Sequence, residues 1–118
     1  LKYRQDESYN VIIWKEASAG YEDKPTVILQ GHLDMVAVKD ADCTKDMEND
    51  GLDLEADGDY LYAKKTSLGG DDGIAIAYSL ALLASDKYEH PALEAIFTVD
   101  EEIGMLGAAA LDLSDIKG

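Results

Sequence analysis

An α/β layer structure is expected of this chain on three grounds. Residues 10–16, 26–32 and 93–99 are short runs rich in β-branched and aromatic side chains, with the length and composition of strands. Between them lies a segment, 74–85, whose apolar residues fall nearly all round a helix. The chain has 118 residues, 47% of them hydrophobic, which is enough for one core and too little for two ordinary domains. Strands alternating with a buried helix stack as layers.

The elements follow in order. Residues 10–16 read Asn-Val-Ile-Ile-Trp-Lys-Glu, a strand. Residues 17–25 are small and polar, punctuated by Gly20 and Pro25, and form a turn. The run Thr-Val-Ile-Leu-Gln-Gly-His at 26–32 is apolar up to its glycine, which suggests a strand buried on both faces. Residues 40–59 hold nine acids and one lysine, a solvated and partly irregular excursion. Asp57-Gly58-Asp59 is a turn signal before a short strand at 60–63. Gly69 and Gly70 introduce Asp71-Asp72-Gly73, so an Asp is expected at or near the N-cap of a buried helix. After a polar connector at 85–91 comes the strand at 93–99. Asp100-Glu101-Glu102-Ile103-Gly104 ends it, and 105–111 begin a second helix. Trp14, Tyr60, Tyr62 and Tyr78 lie within these signals and are expected to pack at the core or its boundary.

Charge narrows the function. Ten Lys and Arg against 25 Asp and Glu give a net charge of −15. Phosphate backbones and anionic membranes both select clustered cations, so neither nucleic acid nor membrane is an expected partner. No apolar run approaches the ~18 residues of a membrane span. The lone Cys43 forms neither an internal disulfide nor a cysteine metal site, a usage that fits the cytoplasm.

The side chains able to do chemistry sit where strands end. His32 and Asp34 follow one strand, Asp100, Glu101 and Glu102 follow another, and Asp71 and Asp72 open the helix. Ligands of open α/β sheets bind beyond the carboxyl ends of the strands. In an extended segment, residues two apart share a side. The Asp34 carboxylate can therefore hold one His32 nitrogen and leave the other for a metal. On a bend, Glu101 and Glu102 can point apart, one toward a metal and one free as a general base.

Three segments in sequence are more specific than any one of them. They are Gly31-His32-Leu33-Asp34-Met35-Val36, Leu68-Gly69-Gly70-Asp71-Asp72-Gly73-Ile74-Ala75, and Phe97-Thr98-Val99-Asp100-Glu101-Glu102-Ile103-Gly104-Met105. Together they resemble the co-catalytic zinc exopeptidases of the aminoacylase and carboxypeptidase type. Within that family the chain looks most like the aminoacyl-histidine (β-alanyl-histidine, carnosine-type) dipeptidases, over nearly its whole length.

The resemblance implies a three-layer α/β/α catalytic domain with a mixed sheet, and hydrolysis of dipeptides, with C-terminal histidine as the expected specificity. It implies two divalent ions, Zn²⁺ first, with Mn²⁺ or Co²⁺ also fitting. By the same resemblance His32 is a metal ligand, Asp34 orients it, Asp71 bridges both ions, and Glu102 holds the other ion. Glu101 is the general base and acid. The partner implied is a small peptide, with a homodimer formed through a lid domain.

Two further ligands of that family, an Asp after the Glu pair and a distant His, have no counterpart here. Asp112 and Asp115 come too soon, and His90 lies in a connector. Residues 1–118 are thus expected to be part of a catalytic domain without its lid, binding metal weakly and hydrolysing nothing alone. The rivals are a related tripeptidase or amino-acid deacylase, a non-catalytic acidic interaction domain, and a calcium module. The last rests on Asp53–Gly58, which resembles the start of an EF-hand loop but has Lys64 where the bidentate Glu belongs.

Overall fold

The computed structural model describes residues 1–118. Its main sheet has four strands in the order β1 (Lys2–Gln5), β2 (Val11–Lys15), β6 (Leu93–Thr98), β3 (Val27–His32). β1 and β2 are antiparallel, as are β2 and β6, whereas β3 runs parallel to β6. The sheet is mixed, as expected. A separate antiparallel hairpin joins β4 (Leu54–Asp57) and β5 (Tyr60–Ala63), with Gly58 at φ +59 supplying the left-handed turn residue. Helix α1 (Gly70–Ala84) forms the crossover from β3 to β6, and a short α2 (Leu106–Ala110) follows.

The pairing register sorts side chains onto two faces. Val11, Ile13, Leu29, Ala95 and Phe97 meet Ile76 and Leu83 of α1 and make the core of that layer. Burying Leu83 and Phe97 contributes about 1.5–3 kcal/mol each. Gly31 lets α1 come close, because a Cβ there would lie 3.0 Å from the Ala75 Cβ. At the far end of α1, the buried Lys15 ammonium donates to the carbonyls of Leu82 and Ser85, satisfying terminal acceptors with a cation.

Ile12, Glu94, Ile96 and Thr98 face the other way. There the segment 111–118 crosses the sheet and is tied down twice. Glu94, 2% exposed, accepts N–H bonds from Lys117 (2.9 and 3.1 Å) and Gly118 (2.9 Å). The Arg4 guanidinium donates to the Asp112 carbonyl at 2.9 Å and the Asp115 carboxylate at 2.7 Å.

Several expectations change. β3 is not buried on both faces. It is an edge strand, with Val27 and Ile28 exposed, and the centre is β6, every residue of which is buried. α1 is not buried all round, since Ile74, Tyr78, Leu80 and Leu82 face outward. No Asp caps it. Its N-cap is Gly69 in the left-handed region (φ +72), and Asp71 and Asp72 occupy a kinked first turn with a cis peptide bond between them. Tyr60, Tyr62 and Tyr78 are exposed rather than packed. β1 was not expected at all. The acidic excursion is as anticipated, exposed and mostly irregular between β3 and β4. Leu54–Asp57 is a strand of the hairpin, so no helix-flanked calcium loop forms there.

Candidate metal centre at the strand ends

β3 and β6 are parallel neighbours, so their carboxyl ends lie together, with His32 opposite Thr98. Past β6 the backbone turns through Asp100 at φ +56, a left-handed conformation that Asp tolerates better than most residues. This presents Glu101 and Glu102 beside His32. The start of α1 brings Asp71 to the same place.

The imidazole of His32 is 7% exposed at the residue level and engaged at both nitrogens. Nδ1 lies 3.0 Å from the Asp34 carbonyl oxygen and 3.4 Å from its carboxylate Oδ1. Nε2 lies 3.1 Å from the Asp71 Oδ1 and 4.0 Å from the Glu101 Oε2. The orienting contact expected from the Asp34 carboxylate is thus made at hydrogen-bond distance by its backbone carbonyl. The carboxylate spans two elements: Oδ2 accepts the Glu102 N–H at 3.0 Å, while Oδ1 is buried without a hydrogen-bond partner, facing His32.

Opposing influences act on both groups. Burial lowers the His32 pKa, but the Asp71 hydrogen bond, the Asp34 carbonyl, and the charges of Asp34 and Glu101 outweigh it and raise the net value. Burial likewise raises the Asp34 carboxyl, yet the N–H groups of Glu102, Glu101 and Asp34 itself, with the His32 charge, hold it below its ordinary value.

The two adjacent aspartates divide their work. Asp71 is largely exposed and turns to His32 Nε2. Asp72 turns inward, where its Oδ2 accepts the His32 backbone N–H at 3.3 Å and ties the helix start to β3. Sequence reasoning did not single out this second contact.

The donor set fits a divalent ion. His32, Glu101 and Glu102 each offer one ligand atom, all within 4.8 Å of one another, and Asp71 shares the free imidazole nitrogen. Nitrogen and carboxylate donors without sulfur suit Zn²⁺, Mn²⁺ or Co²⁺. This grouping includes Glu101, expected as the free base, while Asp71 Oδ1 lies closer to His32 Nε2 (3.1 Å) than Glu101 Oε2 does (4.0 Å). His90 is remote: its Nδ1 contacts the Pro91 carbonyl at 2.8 Å and its N–H donates to Ser18. Cys43 lies in the acidic excursion and is not among these donors.

Behind the cluster, between the sheet and residues 105–118, is a cavity of about 690 Å³. His32, Asp71 and Glu101 stand at its polar end, and Ile28, Ile96, Leu111, Leu113 and Ile116 form its apolar walls. No helix is long and apolar enough to cross a membrane.

Comparison with known proteins agrees with this architecture. No protein-family model matches the chain. It is 42% identical over 107 residues to the cytosol non-specific dipeptidase of Escherichia coli, covering 91% of this chain and 22% of that protein. The crystal structure of aminoacylhistidine dipeptidase from Vibrio alginolyticus superimposes with a TM-score of 0.93 at 43% identity, over 98% of this chain and 24% of that one. The aminopeptidase PepT from Bacillus cereus matches with a TM-score of 0.72 at 25% identity, over 99% of this chain and 31% of that one. The chain therefore spans about a quarter of the length of these two dipeptidases. Close in sequence and nearly superimposable over that quarter, the chain is a homologue of these two dipeptidases.

Proposed function

We propose that this chain is the part of a metal-dependent dipeptidase that supplies one face of its catalytic centre, acting on dipeptides with C-terminal histidine. The carrying observation is the convergence of His32, Asp71, Glu101 and Glu102 from three separate segments on one sheet edge. The names of the relatives support the substrate class and a cytosolic location. The homodimer formed through a lid remains part of this reading.

In it, His32, Asp71 and Glu102 would hold two divalent ions. Such ions would supply Lewis acidity, polarising the scissile carbonyl and lowering the pKa of a water. Glu101 takes the proton of the attacking water and returns it to the leaving amine. Asp34 holds the imidazole from behind, so that Nε2 faces the centre. Three protein ligands shared by two ions fall short of the usual three for each catalytic zinc. The 118-residue chain by itself therefore binds metal weakly and turns over no peptide.

The test compares a full-length dipeptidase containing this segment with its Glu101→Gln variant, using a dipeptide ending in histidine. Turnover is expected to be lost to a chelator and restored by Zn²⁺ or Mn²⁺. The variant is expected to keep its metal and lose at least 100-fold in kcat, the span typical of a missing general base. Full activity in Glu101→Gln would remove Glu101 from its role, and chelator-resistant activity would end the metal reading.

A further inference from the structure

The Glu101–Glu102 pair sits on a loop, 99–107, whose ends return to one another: Gly107 N–H donates to the Val99 carbonyl at 3.2 Å and Leu106 N–H to the Asp100 carbonyl at 3.1 Å. A single side chain spans the neck of this loop. Asn10, 1% exposed, accepts the Val99 N–H on Oδ1 at 3.1 Å and donates from Nδ2 to the Gly107 carbonyl at 2.9 Å. Its second Nδ2 hydrogen goes to the Asp6 Oδ2 at 2.8 Å, and the Asp6 Oδ1 in turn accepts the Asn10 backbone N–H at 2.9 Å. Both amide hydrogens and the amide oxygen are thus committed. No other natural side chain of this size offers a planar donor and acceptor in that arrangement.

The neck has no room to spare. A Cβ on Gly107 would lie 2.2 Å from the Val99 carbonyl oxygen and 2.7 Å from the Asn10 Oδ1. Glycine at 107 and asparagine at 10 are therefore two halves of one fitting, although 97 residues separate them. On the far side of the loop, the Glu102 N–H donates to Asp34. The loop is held at its base by Asn10 and at its tip by the residue that contacts His32.

We propose that Asn10 is a positioning residue for Glu101 and Glu102, fixing both carboxylates toward His32 by clamping the neck of their loop. It touches neither metal nor substrate, and acts only through the loop. The inference rests on the metal-centre reading given above. A buried amide with every polar atom paired is a rigid anchor, and releasing it exposes two backbone groups at the neck that must find water. Carboxylates at the end of a loosened loop spend less time beside His32, so affinity falls although every ligand is still present.

The test uses the 118-residue chain, its Asn10→Ala and Asp6→Asn variants, and Leu83→Ala as a control that damages the opposite face of the sheet. Two measurements are made on each: amide hydrogen exchange without metal, and Co²⁺ titration followed by calorimetry and by the visible spectrum of the bound ion. Asn10→Ala is expected to speed exchange of the 99–106 amides at least 10-fold relative to those of β3. It should also weaken Co²⁺ binding at least 10-fold and alter the spectrum. Leu83→Ala, even if equally destabilised, should leave affinity within about twofold and the spectrum unchanged. If Asn10→Ala does not fold, Asp6→Asn, which removes only the outer partner of the amide, should show the same changes more weakly.

Unchanged affinity and spectrum in a folded Asn10 or Asp6 variant would overturn the positioning role while leaving the metal centre intact. Because the chain alone binds metal weakly, the titration is carried to high Co²⁺, and absence of binding even there would overturn the metal centre, and this inference with it. In that case the exchange data would still report whether Asn10 holds the loop.

Discussion

The approach of α1 to β3 can be tested with one methyl group. In Gly31→Ala the new Cβ would stand 2.9 Å from the Asp72 Oδ2, 3.0 Å from the Ala75 Cβ and 3.2 Å from the Ile76 Cδ1. A carboxylate tip can rotate away, but the Ala75 Cβ is fixed to the helix. Carbon atoms rest about 3.5–4.0 Å apart, so the helix must retreat by roughly 0.5–1 Å. Overpacking of this kind costs about 1–3 kcal/mol. Removing a strand glycine returns about 0.5–1 kcal/mol, leaving a net loss of about 0–2.5 kcal/mol, centred near 1. Gly73→Ala, two residues before Ala75 in the same helix, meets nothing within 4 Å. That substitution should instead stabilise by about 0.5–1 kcal/mol. Thermal unfolding followed by circular dichroism measures both. At about 4 °C per kcal/mol for a domain of this size, the two midpoints should move in opposite directions by several degrees. Gly31→Ala at or above parental stability would refute the close approach, and with it the account of how Asp72 reaches the His32 backbone.

Three further outcomes are expected. Zn²⁺ at about 100 times its dissociation constant should stabilise the chain by about 2.7 kcal/mol, and His32→Ala should abolish the shift in a thermal melt; an equal shift in the variant would place the ion elsewhere. Glu94→Gln removes one of the two oxygens that receive three contacts from the Lys117 and Gly118 N–H groups. It should cost about 1–3 kcal/mol and speed proteolysis within 111–118, whereas unchanged cleavage would show that the Arg4 tether suffices. Glu55 is held below its ordinary value by the hydrogen bond from the Tyr62 hydroxyl, and then by Lys64, while Tyr62 is raised above 10.0 by the same bond. The contact thus persists above the unfolded glutamate pKa and is lost as acid protonates Glu55 or as alkali ionises Tyr62. Ultraviolet titration of Glu55→Gln should show the Tyr62 midpoint falling, and no change would remove the pairing.

The strand and helix order was legible because β2, β3, β5, β6 and α1 each carry a local pattern. Their environment was not. β3 is the longest charge-free strand yet lies at the edge, and β6, with a glutamate in it, is the buried centre. Nothing within either run tells which neighbour comes between them. β1 escaped because Lys2-Tyr3-Arg4-Gln5 is short and half charged, and its pairing depends on β2 rather than on its own composition. The expected cap at α1 failed because Asp72 is engaged with β3 and Asp71 with His32, leaving Gly69 to turn the chain. The candidate site was legible as far as its motifs, since histidine and carboxylates at strand ends are visible in one dimension. Asn10, Lys15 and Glu94 were not. Each is a polar side chain committed to partners at least 23 residues away, and an Asn before a strand or a Glu within one carries no mark of that commitment.

The free flank of β3 has a consequence for how the chain behaves in company. Val27-Ile28-Leu29-Gln30-Gly31-His32 contains no lysine, arginine, acid or proline, the usual guards against a foreign strand adding to an open edge. The −15 charge carried elsewhere on the surface opposes such pairing. That repulsion reaches about 10 Å at 0.1 M salt and about 3 Å at 1 M. Raising the salt should therefore favour edge-to-edge pairing of this chain, and light scattering that stays unchanged between dilute and concentrated salt would refute it.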